Sequence, residues 1–533
     1  MTTDTDLSAL ATDRSPSLLD ATCENYVYDL AQLSPTLATR LGLAGHDHEL
    51  QDYSPSYWEA VADRTRDLIA DVDALNDCTD CSDDEDDFDE ADLLTVAILR
   101  ERMTTELDLH HHGENLRLLN NVDSPVQHIR DSLLMMDPAC LEERLSIVRK
   151  SLHGYRESLT EAAAQGDVAP HRQIDAVIDQ CEAIGSVLDT LGVPADSAAL
   201  AEAKDAFEEM ADWLSTELSP RAPYDDAVGR DRFELFSQSF VGSEINPDET
   251  YAWALDGLHE VVDKQRALAE SMFGRGITIH EAYRRLNEDE RYTLHGSDQL
   301  LEWMERFTEE ALGRLGSEFT AVPACSVSCS VDDSGAEGVT YLPPSDDLAR
   351  PALVRWTTPK DCFHTWWAAA RLAHDGAPGH HLQTIMPRGL NLWRRSVNVN
   401  YAHSEGWAHY SEDLLEELGM FDEPALRLGL YDSRRASFAK VLLDIGVHLG
   451  KKTPDKTGTW DVQYAKAFLR DNAATSESRL GFELDRAMGW PGQAAAGAVG
   501  YRAWRELRGR ASLDRALRLG SMPMDLLGDS WAH

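Results

Sequence analysis

Two short segments of the sequence carry side chains that could bind a metal ion. The first, at residues 374–383, reads HDGAPGHHLQ and contains His374 and His380. The second, at residues 405–412, reads EGWAHYSE and opens on Glu405. Two imidazoles and one carboxylate leave one coordination position of Zn²⁺ open for water, which is the arrangement of a catalytic zinc site. The two segments therefore predict one zinc ion held by His374, His380 and Glu405.

The spacing of the histidines decides which of them can share an ion. In the HExxH pattern of zinc peptidases the two histidines lie one helical turn apart, whereas His380 and His381 lie further from His374 than that. On a straight helix, His374 and His381 would be separated by roughly 10 Å along the axis, which is too far for one ion. Pro378 and Gly379 predict a local break that returns His380 to the position one turn after His374. We therefore interpret His380 as the ligand and His381 as a neighbour that contacts substrate or a ligating group.

The acidic residues of the two segments suit supporting roles around this ion. Asp375 is placed to take a proton from the water that the metal activates. Glu412 lies two turns after Glu405 on the same helix face, where it can accept a hydrogen bond from a ligating histidine. The same residues leave an alternative open, a helical scaffold without metal, because a histidine beside Pro-Gly often caps the end of a helix.

The charge of the chain is strongly negative and limits its partners. There are 94 Asp and Glu residues against 49 Lys and Arg residues, which gives a formal net charge of -45. Such a surface repels nucleic acid and anionic lipid, so neither is expected as a partner. The acidic residues are spread along the whole chain, which favours a surface adapted to concentrated salt over an acidic tail that binds a partner.

The sequence does not predict export or insertion into a membrane. The first ten residues lack a basic region followed by an apolar one, so we expect no secretory signal. No uninterrupted apolar stretch is long enough to cross a bilayer. We therefore expect a cytoplasmic protein, and the sequence leaves its oligomeric state open.

Helical periodicity dominates the segments around these residues. Apolar residues recur at helical spacing through most of residues 17–218 and again from residue 360 nearly to the end. Asn246 is a predicted N-cap, and Pro247 is the predicted first residue of the helix that follows. The sequence therefore predicts a mainly α protein.

One region differs from the helical remainder. Short segments with β-branched residues, separated by turns, predict a small antiparallel sheet at about residues 321–358. A chain of 533 residues is too long for one ordinary core. We therefore predict an N-terminal helical lobe at residues 1–220 and a metal-site lobe, with the small sheet, at residues 221–533.

The two metal-binding segments and several flanking ones resemble the signatures of one protein family. Residues 374–383 are similar to the HExxPGHHLQ signature of the domain of unknown function 885 (DUF885) family, and residues 405–412 resemble its EGWALYxE signature. Similarity to the family's SPxxATxLG, YxPP, RAxRLVVDTGxH and WPGQA patterns is found at residues 33–42, 341–344, 435–448 and 490–493. The resemblance spans one continuous family domain at about residues 17–510.

The resemblance implies a fold like that of metallopeptidases of the thimet oligopeptidase and carboxypeptidase Taq type. In those proteins two helical lobes flank a deep cleft, and a small sheet borders the helix that carries metal ligands. Their substrates are usually peptides. By this resemblance, the chain is expected to be a zinc-dependent hydrolase that cuts small peptides with a metal-activated water.

Several residues depart from the family pattern near the predicted site. Asp375 stands where the family has Glu, and Gly497 and Ala498 stand where it usually has a Tyr-Lys pair. Tyr501, one helical turn beyond Gly497, is the candidate to stabilise an oxyanion in their place. These changes keep the predicted ligands and leave a second hypothesis open, a pseudoenzyme that binds peptide or metal without turnover.

A further group of residues is predicted to contact substrate or a metal ligand. His409 replaces a usual Leu of the family. Arg486 is a candidate for binding a substrate carboxylate, with a structural salt bridge as its alternative role. The complete group comprises His381, His409, Tyr410, Glu412 and Arg486.

Overall fold

The computed structural model describes most of the chain. The described residues are 15–78, 88–319, 326–332, 338–345, 348, 350–358, 360–510 and 512–529. The first ten residues, on which the expectation of no secretory signal rests, lie outside them. In the described ranges, no helix is both long enough and apolar enough to cross a membrane.

Helices make up most of the described chain, which confirms the predicted mainly α class. Those of the N-terminal part are α1 (Leu18–Leu33), α2 (Pro35–Leu41), α3 (Pro55–Cys78), α4 (Glu90–His111), α5 (Pro125–Met135), α6 (Leu141–Leu145), α7 (Val148–Gln165), α8 (His171–Leu188), α9 (Ala198–Trp213), α10 (Arg230–Val241), α11 (Pro247–Phe273), α12 (Ile279–Asn287) and α13 (Gly296–Arg314). Those of the C-terminal part are α14 (Thr365–Asp375), α15 (Gly379–Ile385), α16 (Tyr401–Glu417), α17 (Pro424–His448), α18 (Val462–Asn472), α19 (Glu477–Gly489), α20 (Gln493–Leu507), α21 (Leu513–Arg518) and α22 (Met524–Asp529).

Local capping explains where α11 begins. The Asn246 side chain accepts hydrogen bonds from the backbone N–H groups of Asp248 and Glu249, and Pro247 occupies the first turn of α11. These contacts satisfy donors that a helix start otherwise leaves unpaired. The predicted N-cap at Asn246 is therefore confirmed.

Five short strands form two small sheets beside the helices. They are β1 (Thr293–His295), β2 (Val327–Asp332), β3 (Gly338–Leu342), β4 (Ala352–Thr357) and β5 (Cys362–His364). β3 and β4 pair antiparallel within the region where the sequence predicts a sheet, and β1 and β5 form a second antiparallel pair outside it. β2 pairs with β4 in parallel, so β4 lies in the centre of a mixed three-stranded sheet. This parallel pair was not predicted, because turn signals between neighbouring segments favour hairpins.

The apolar cores do not follow the chain order strictly. One core is formed within residues 53–218, mainly by α5–α9. Another joins apolar side chains of α1, α3 and α4 to those of α16 and α20, including Trp407 and Trp504. The first helices of the chain therefore belong to the same core as the helix that carries Glu405. The division into lobes at residue 220 stays a prediction.

The small sheets pack against α14, the helix that ends near His374. Val354 and Trp356 of β4 share a core with Ala369 and Leu372 of α14. Helix α17 also packs closely on α14, where a Cβ added at Gly429 would lie 1.9 Å from the carbonyl oxygen of Trp366. α14 faces a cavity of about 880 Å³, which is also lined by residues of α12, α16, α17, α19 and α20.

A close contact between two helices holds α16 in place. A Cβ added at Gly406 would lie 2.3 Å from the backbone carbon of Gly500, and one at Gly500 would lie 1.6 Å from the carbonyl oxygen of Ala402. The backbones of α16 and α20 can approach this closely only because both positions are glycine. This contact fixes the position of α16 along its axis and its rotation about that axis relative to α20. It thereby fixes the position of Glu405.

Candidate metal centre

A break between α14 and α15 brings two histidines together. α14 ends at Asp375 and α15 begins at Gly379. A Cβ at Gly379 would lie 1.9 Å from the carbonyl oxygen of His374, so a larger residue would push the two helix ends apart. With glycine there, the ring centroids of His374 and His380 lie 5.4 Å apart.

Glu405 of α16 supplies the third side chain of the cluster. Its Oε2 lies 3.4 Å from His374 Nε2, and its Oε1 lies 3.7 Å from His380 Nε2. One donor atom from each of the three residues lies within 4.8 Å of the other two. The structure thus places the three predicted ligands in one cluster.

The donor set and its spacing fit zinc. A tetrahedral ion with bonds of about 2.0–2.1 Å to nitrogen and oxygen has ligand atoms roughly 3.3 Å apart. The two nitrogen-to-oxygen distances at Glu405, 3.4 and 3.7 Å, are close to that value. Two imidazoles and a carboxylate are also a donor combination that zinc accepts readily. His374, His380 and Glu405 are therefore the residues that would hold the ion.

Glu412 orients His374 from behind. Its Oε1 lies 3.1 Å from His374 Nδ1 and 3.3 Å from His409 Nδ1, and it accepts a hydrogen bond from the Ser433 hydroxyl at 3.3 Å. The Glu412 side chain is fully buried. With a proton held on Nδ1 by this carboxylate, Nε2 is the atom of His374 that can bind an ion, and it faces Glu405.

His374, His409 and Glu412 form a second group of possible donors. Their ligand atoms also lie within 4.8 Å of one another. The Glu412 oxygen in this group already faces both imidazoles and the Ser433 hydroxyl, so its contacts are those of a hydrogen-bond acceptor. We therefore assign Glu412 and His409 to the support of the cluster and not to the ion.

The electrostatics of the cluster favour a positive charge between the carboxylates. Burial opposes a charge on His374, but hydrogen bonds with Glu405 and Glu412 outweigh it and raise its pKa to about 10. Burial also lowers the pKa of His380, which keeps this imidazole neutral and able to ligate. Burial would raise the pKa of Glu405, yet the two histidines bring it well below its usual value. The cluster therefore attracts a cation, whether a proton or a metal ion.

Asp375 lines the same cavity but is engaged by a neighbour. Its carboxylate forms an ion pair with Arg371, one turn earlier on α14. The predicted base is therefore present next to His374, with a cation attached to it. The spacing of four residues between Arg371 and Asp375 is visible in the sequence and could have predicted this pair.

The two predicted tyrosines have contacts away from the cluster. The Tyr501 hydroxyl donates a hydrogen bond to Asp413 at 2.7 Å, and Tyr501 is not among the residues that line the cavity. Tyr410 is buried between Trp407 and Trp504 in the core. Tyr410 thus belongs to the core, whereas the Tyr501 ring lies 6.4 Å from the ring of His409 while its hydroxyl is directed to Asp413.

The remaining predicted residues divide between the sheet and the cavity. His381 is fully buried, and its Nδ1 lies 3.0 Å from the Tyr341 hydroxyl of β3. His409 lines the cavity, where its Nε2 lies 3.4 Å from the Ser437 hydroxyl. Arg486 also lines the cavity, and its guanidinium lies 5.6 Å from the ring centroid of Trp490.

Sequence reasoning missed several polar residues of the cavity. Ser433, Ser437 and Lys440 of α17 face it, and so does Glu483 of α19. Their positions repeat at intervals of three and four residues, which is the only local signal that they share one helix face. They carry no recognisable motif, so only the packing of α17 and α19 around α14 shows that they belong to the site.

The chain is similar to one protein family and to solved structures of low sequence identity. A family model described as "Bacterial protein of unknown function (DUF885)" matches residues 35–530. A crystal structure described as a "putative lipoprotein" from Colwellia psychrerythraea is similar with a TM-score of 0.81, at 17% identity over 97% of this chain and 98% of that chain. A structure from Shewanella oneidensis, described in the same words and as of unknown function, has a TM-score of 0.71, at 14% identity over 97% of this chain and 100% of that chain. No curated protein matches the sequence.

Proposed function

This chain belongs to the DUF885 family of bacterial proteins of unknown function, and from its site we propose that it is a zinc-dependent hydrolase that cuts short peptides. One observation carries the proposal. Donor atoms of His374, His380 and Glu405 lie within 4.8 Å of one another, and His374 and Glu405 line a large cavity. A fully buried carboxylate, Glu412, holds the other nitrogen of His374. A purely structural histidine cluster has no need of such a cavity beside it.

The residues of the site have separable roles in this proposal. Zinc, when bound, lowers the pKa of a water molecule and polarises a carbonyl group. Glu412 fixes the tautomer and the orientation of His374. Asp375, beside His374 and within the cavity, would accept a proton, and the ion pair with Arg371 holds its carboxylate in position.

The size and lining of the cavity support a short peptide as substrate. Its volume of about 880 Å³ lies within the range of pockets that enclose small ligands. Aromatic side chains of Trp356, Phe363 and Trp367 line it together with charged groups. This combination can bind apolar side chains and the polar ends of a peptide at once, and it is too small for a folded protein.

Metal analysis of the purified protein tests the proposal. We expect about one zinc ion per chain, and we expect loss of that zinc in His374→Ala and in Glu405→Gln. Hydrolysis of a mixture of short peptides, followed by mass spectrometry, should fall by at least about a thousandfold in both variants. His153→Ala, at an exposed position of α7, is the control that should change neither quantity. Protein that carries no metal after preparation without chelators would refute the proposal.

A second function, a pseudoenzyme that binds peptide or metal without turnover, is favoured by two observations. Asp375 is paired with Arg371, and the Tyr501 hydroxyl is engaged by Asp413. Neither group is therefore free to act as the family pattern implies. Turnover by the native protein would rule this function out. Binding without turnover, together with hydrolysis restored by Asp375→Glu, would favour it.

We also propose that the protein is cytoplasmic and adapted to concentrated salt. The net charge of -45 supports the adaptation, because dissolved cations screen the repulsion between surface carboxylates. The thermal midpoint of unfolding should then rise between 0.1 M and 2 M potassium chloride. The two similar solved structures are described as lipoproteins, so fractionation of cells is the test of location. Recovery in the membrane fraction would exclude a cytoplasmic protein.

A further inference from the structure

Three cations from two neighbouring helices line the cavity around one carboxylate, although the chain as a whole is acidic. Lys440 of α17 and Arg479 and Arg486 of α19 line it. We call these three residues, with the carboxylate of Glu483 between them, the cation wall. In a chain with 94 acidic and 49 basic residues, a wall with three cations and one carboxylate is an exception. Such a surface attracts an anion into the cavity.

Two of the three cations share one ion-pair partner. Lys440 Nζ lies 2.9 Å from Glu483 Oε2, and Arg479 forms an ion pair with the other oxygen of the same carboxylate. The Glu483 side chain is buried. Each of these charges therefore has a partner within the protein, which leaves Arg486 as the remaining cation of the wall.

Arg486 has no carboxylate partner in the part of the chain that the structure describes. No ion pair joins it to an acidic side chain there, and its buried Nε has no hydrogen-bond partner among those residues. A buried guanidinium nitrogen without a partner loses the free energy of its hydration. A group that enters the cavity can recover that free energy.

Arg486 is nevertheless held in a fixed place. Its guanidinium packs 5.6 Å from the ring centroid of Trp490, an arrangement that orients a cation without neutralising it. Burial would raise the pKa of both Glu405 and Glu483, but their neighbours, Arg486 among them, lower it. The charge of Arg486 thus acts on both the predicted metal ligand Glu405 and the carboxylate of Glu483.

We propose that Arg486 is the anchor for a carboxylate of the substrate, next to the metal cluster. This inference rests on the proposed peptide hydrolase and names its substrate class, peptides that carry a carboxylate near the bond that is cut. The planar guanidinium matches a carboxylate in a bidentate pair. The carboxylate belongs either to the C-terminus of the peptide or to an acidic side chain, and both present the same group to Arg486.

Binding of unreactive probes distinguishes these sources and does not depend on turnover. The probes are N-acetyl-alanyl-alanine, its C-terminal amide, and the α-amide of N-acetyl-alanyl-aspartate, in which only the side chain is charged, each with an N-methylated peptide bond that resists hydrolysis. Calorimetry is done on the full chain as purified and again after removal of metal with a chelator, because a carboxylate can also bind zinc directly. We expect the free acid, or the acidic side chain, to bind at least about tenfold more tightly than the uncharged amide in both forms.

Three variants show whether Arg486 causes that preference. Arg486→Met should abolish the preference for charged probes. Arg486→Lys should retain only part of it, because lysine keeps the positive charge but lacks the planar guanidinium that binds a carboxylate through two nitrogens. Arg470→Met is the matched control, since Arg470 lines the same cavity but is paired with Glu477. Its preference for the charged probes should equal that of the native protein.

The outcomes separate this inference from the proposed function. Equal binding of charged and uncharged probes by the native protein would overturn the inference, and so would an unchanged preference in Arg486→Met. A preference that depends on Arg486 in a protein without zinc would uphold the carboxylate site and refute the hydrolase. Where a peptide with a carboxylate is hydrolysed, Arg486→Met should raise KM for it at least about tenfold, and Arg470→Met should leave that KM unchanged.

Discussion

The cluster around His374 and the cation wall line the same cavity, and the two regions attract ligands of opposite charge. Around His374, two carboxylates converge on the imidazoles, and the pKa of His374 rises to about 10 despite burial. On the cation wall, Lys440 and Arg479 surround Glu483, and Arg486 has no acidic partner among the described residues. One side thus attracts a cation and the other an anion. A site that holds a metal ion and a charged peptide end needs both.

The two regions also differ in how the backbone builds them. The His374 cluster depends on a helix break and on close backbone contacts at Gly379 and Gly406. The cation wall uses side chains spaced along the regular helices α17 and α19. The first region should therefore be sensitive to small changes of the backbone, and the second to changes of charge.

The prediction with the largest expected effect adds one methyl group to each of the two regions and compares the results. Gly379→Ala places a Cβ 1.9 Å from the His374 carbonyl oxygen, and we expect it to lower the free energy of unfolding by about 3 kcal/mol. Gly481→Ala is the matched control in α19, where an added Cβ meets no atom within 4 Å. It should raise the free energy of unfolding by up to about 1 kcal/mol. Urea unfolding measures both, and equal effects would contradict the comparison.

A change of charge on the cation wall should have the next largest effect. Glu483→Gln leaves Lys440 and Arg479 without their shared carboxylate, so we expect a loss of about 2 kcal/mol in the free energy of unfolding at pH 7. Glu477→Gln, which removes an exposed carboxylate from the same helix, should change it little.

The same variant gives a pH dependence of known sign. Burial would raise the pKa of Glu483, but the charges of Lys440, Arg479 and Arg486 bring it below the ordinary 4.5. Since the folded protein holds this group ionised more strongly than the unfolded chain, its stabilising contribution is complete above about pH 4.5 and is lost as the pH falls further. Urea unfolding at pH 7 and pH 3.5 should therefore show a smaller difference between native protein and Glu483→Gln at the lower pH. A constant difference would be inconsistent with this ion pair.

The smallest expected effect concerns the orientation of a ligand and not the ligand itself. Glu412→Gln replaces the charged acceptor behind His374 with a neutral amide, so we expect zinc affinity to fall by about tenfold. Competition with a coloured chelator measures this change. Glu417→Gln, at an exposed position of the same helix, is the control and should keep the native affinity. Unchanged affinity in Glu412→Gln would show that this carboxylate does not act through the metal.

Several elements could be predicted because their causes lie within a few residues. The N-cap at Asn246 and the break at Pro378 and Gly379 follow from backbone chemistry that needs no partner from elsewhere in the chain. Helical periodicity likewise predicted the mainly α class. Strand pairing was less accessible, because β4 inserts between β2 and β3 through contacts that the turn signals do not specify.

The sequence by itself determined which residue types were available for a metal site and how each is placed on its own helix. Only the tertiary structure decided that Tyr501 donates to Asp413, that Asp375 is paired within the cavity, and that Arg486 lies near Glu405. The reason is physical. Spacing along a helix fixes the face on which a side chain lies, whereas the groups that it meets depend on how closely other helices pack, as α16 and α20 do at Gly406 and Gly500.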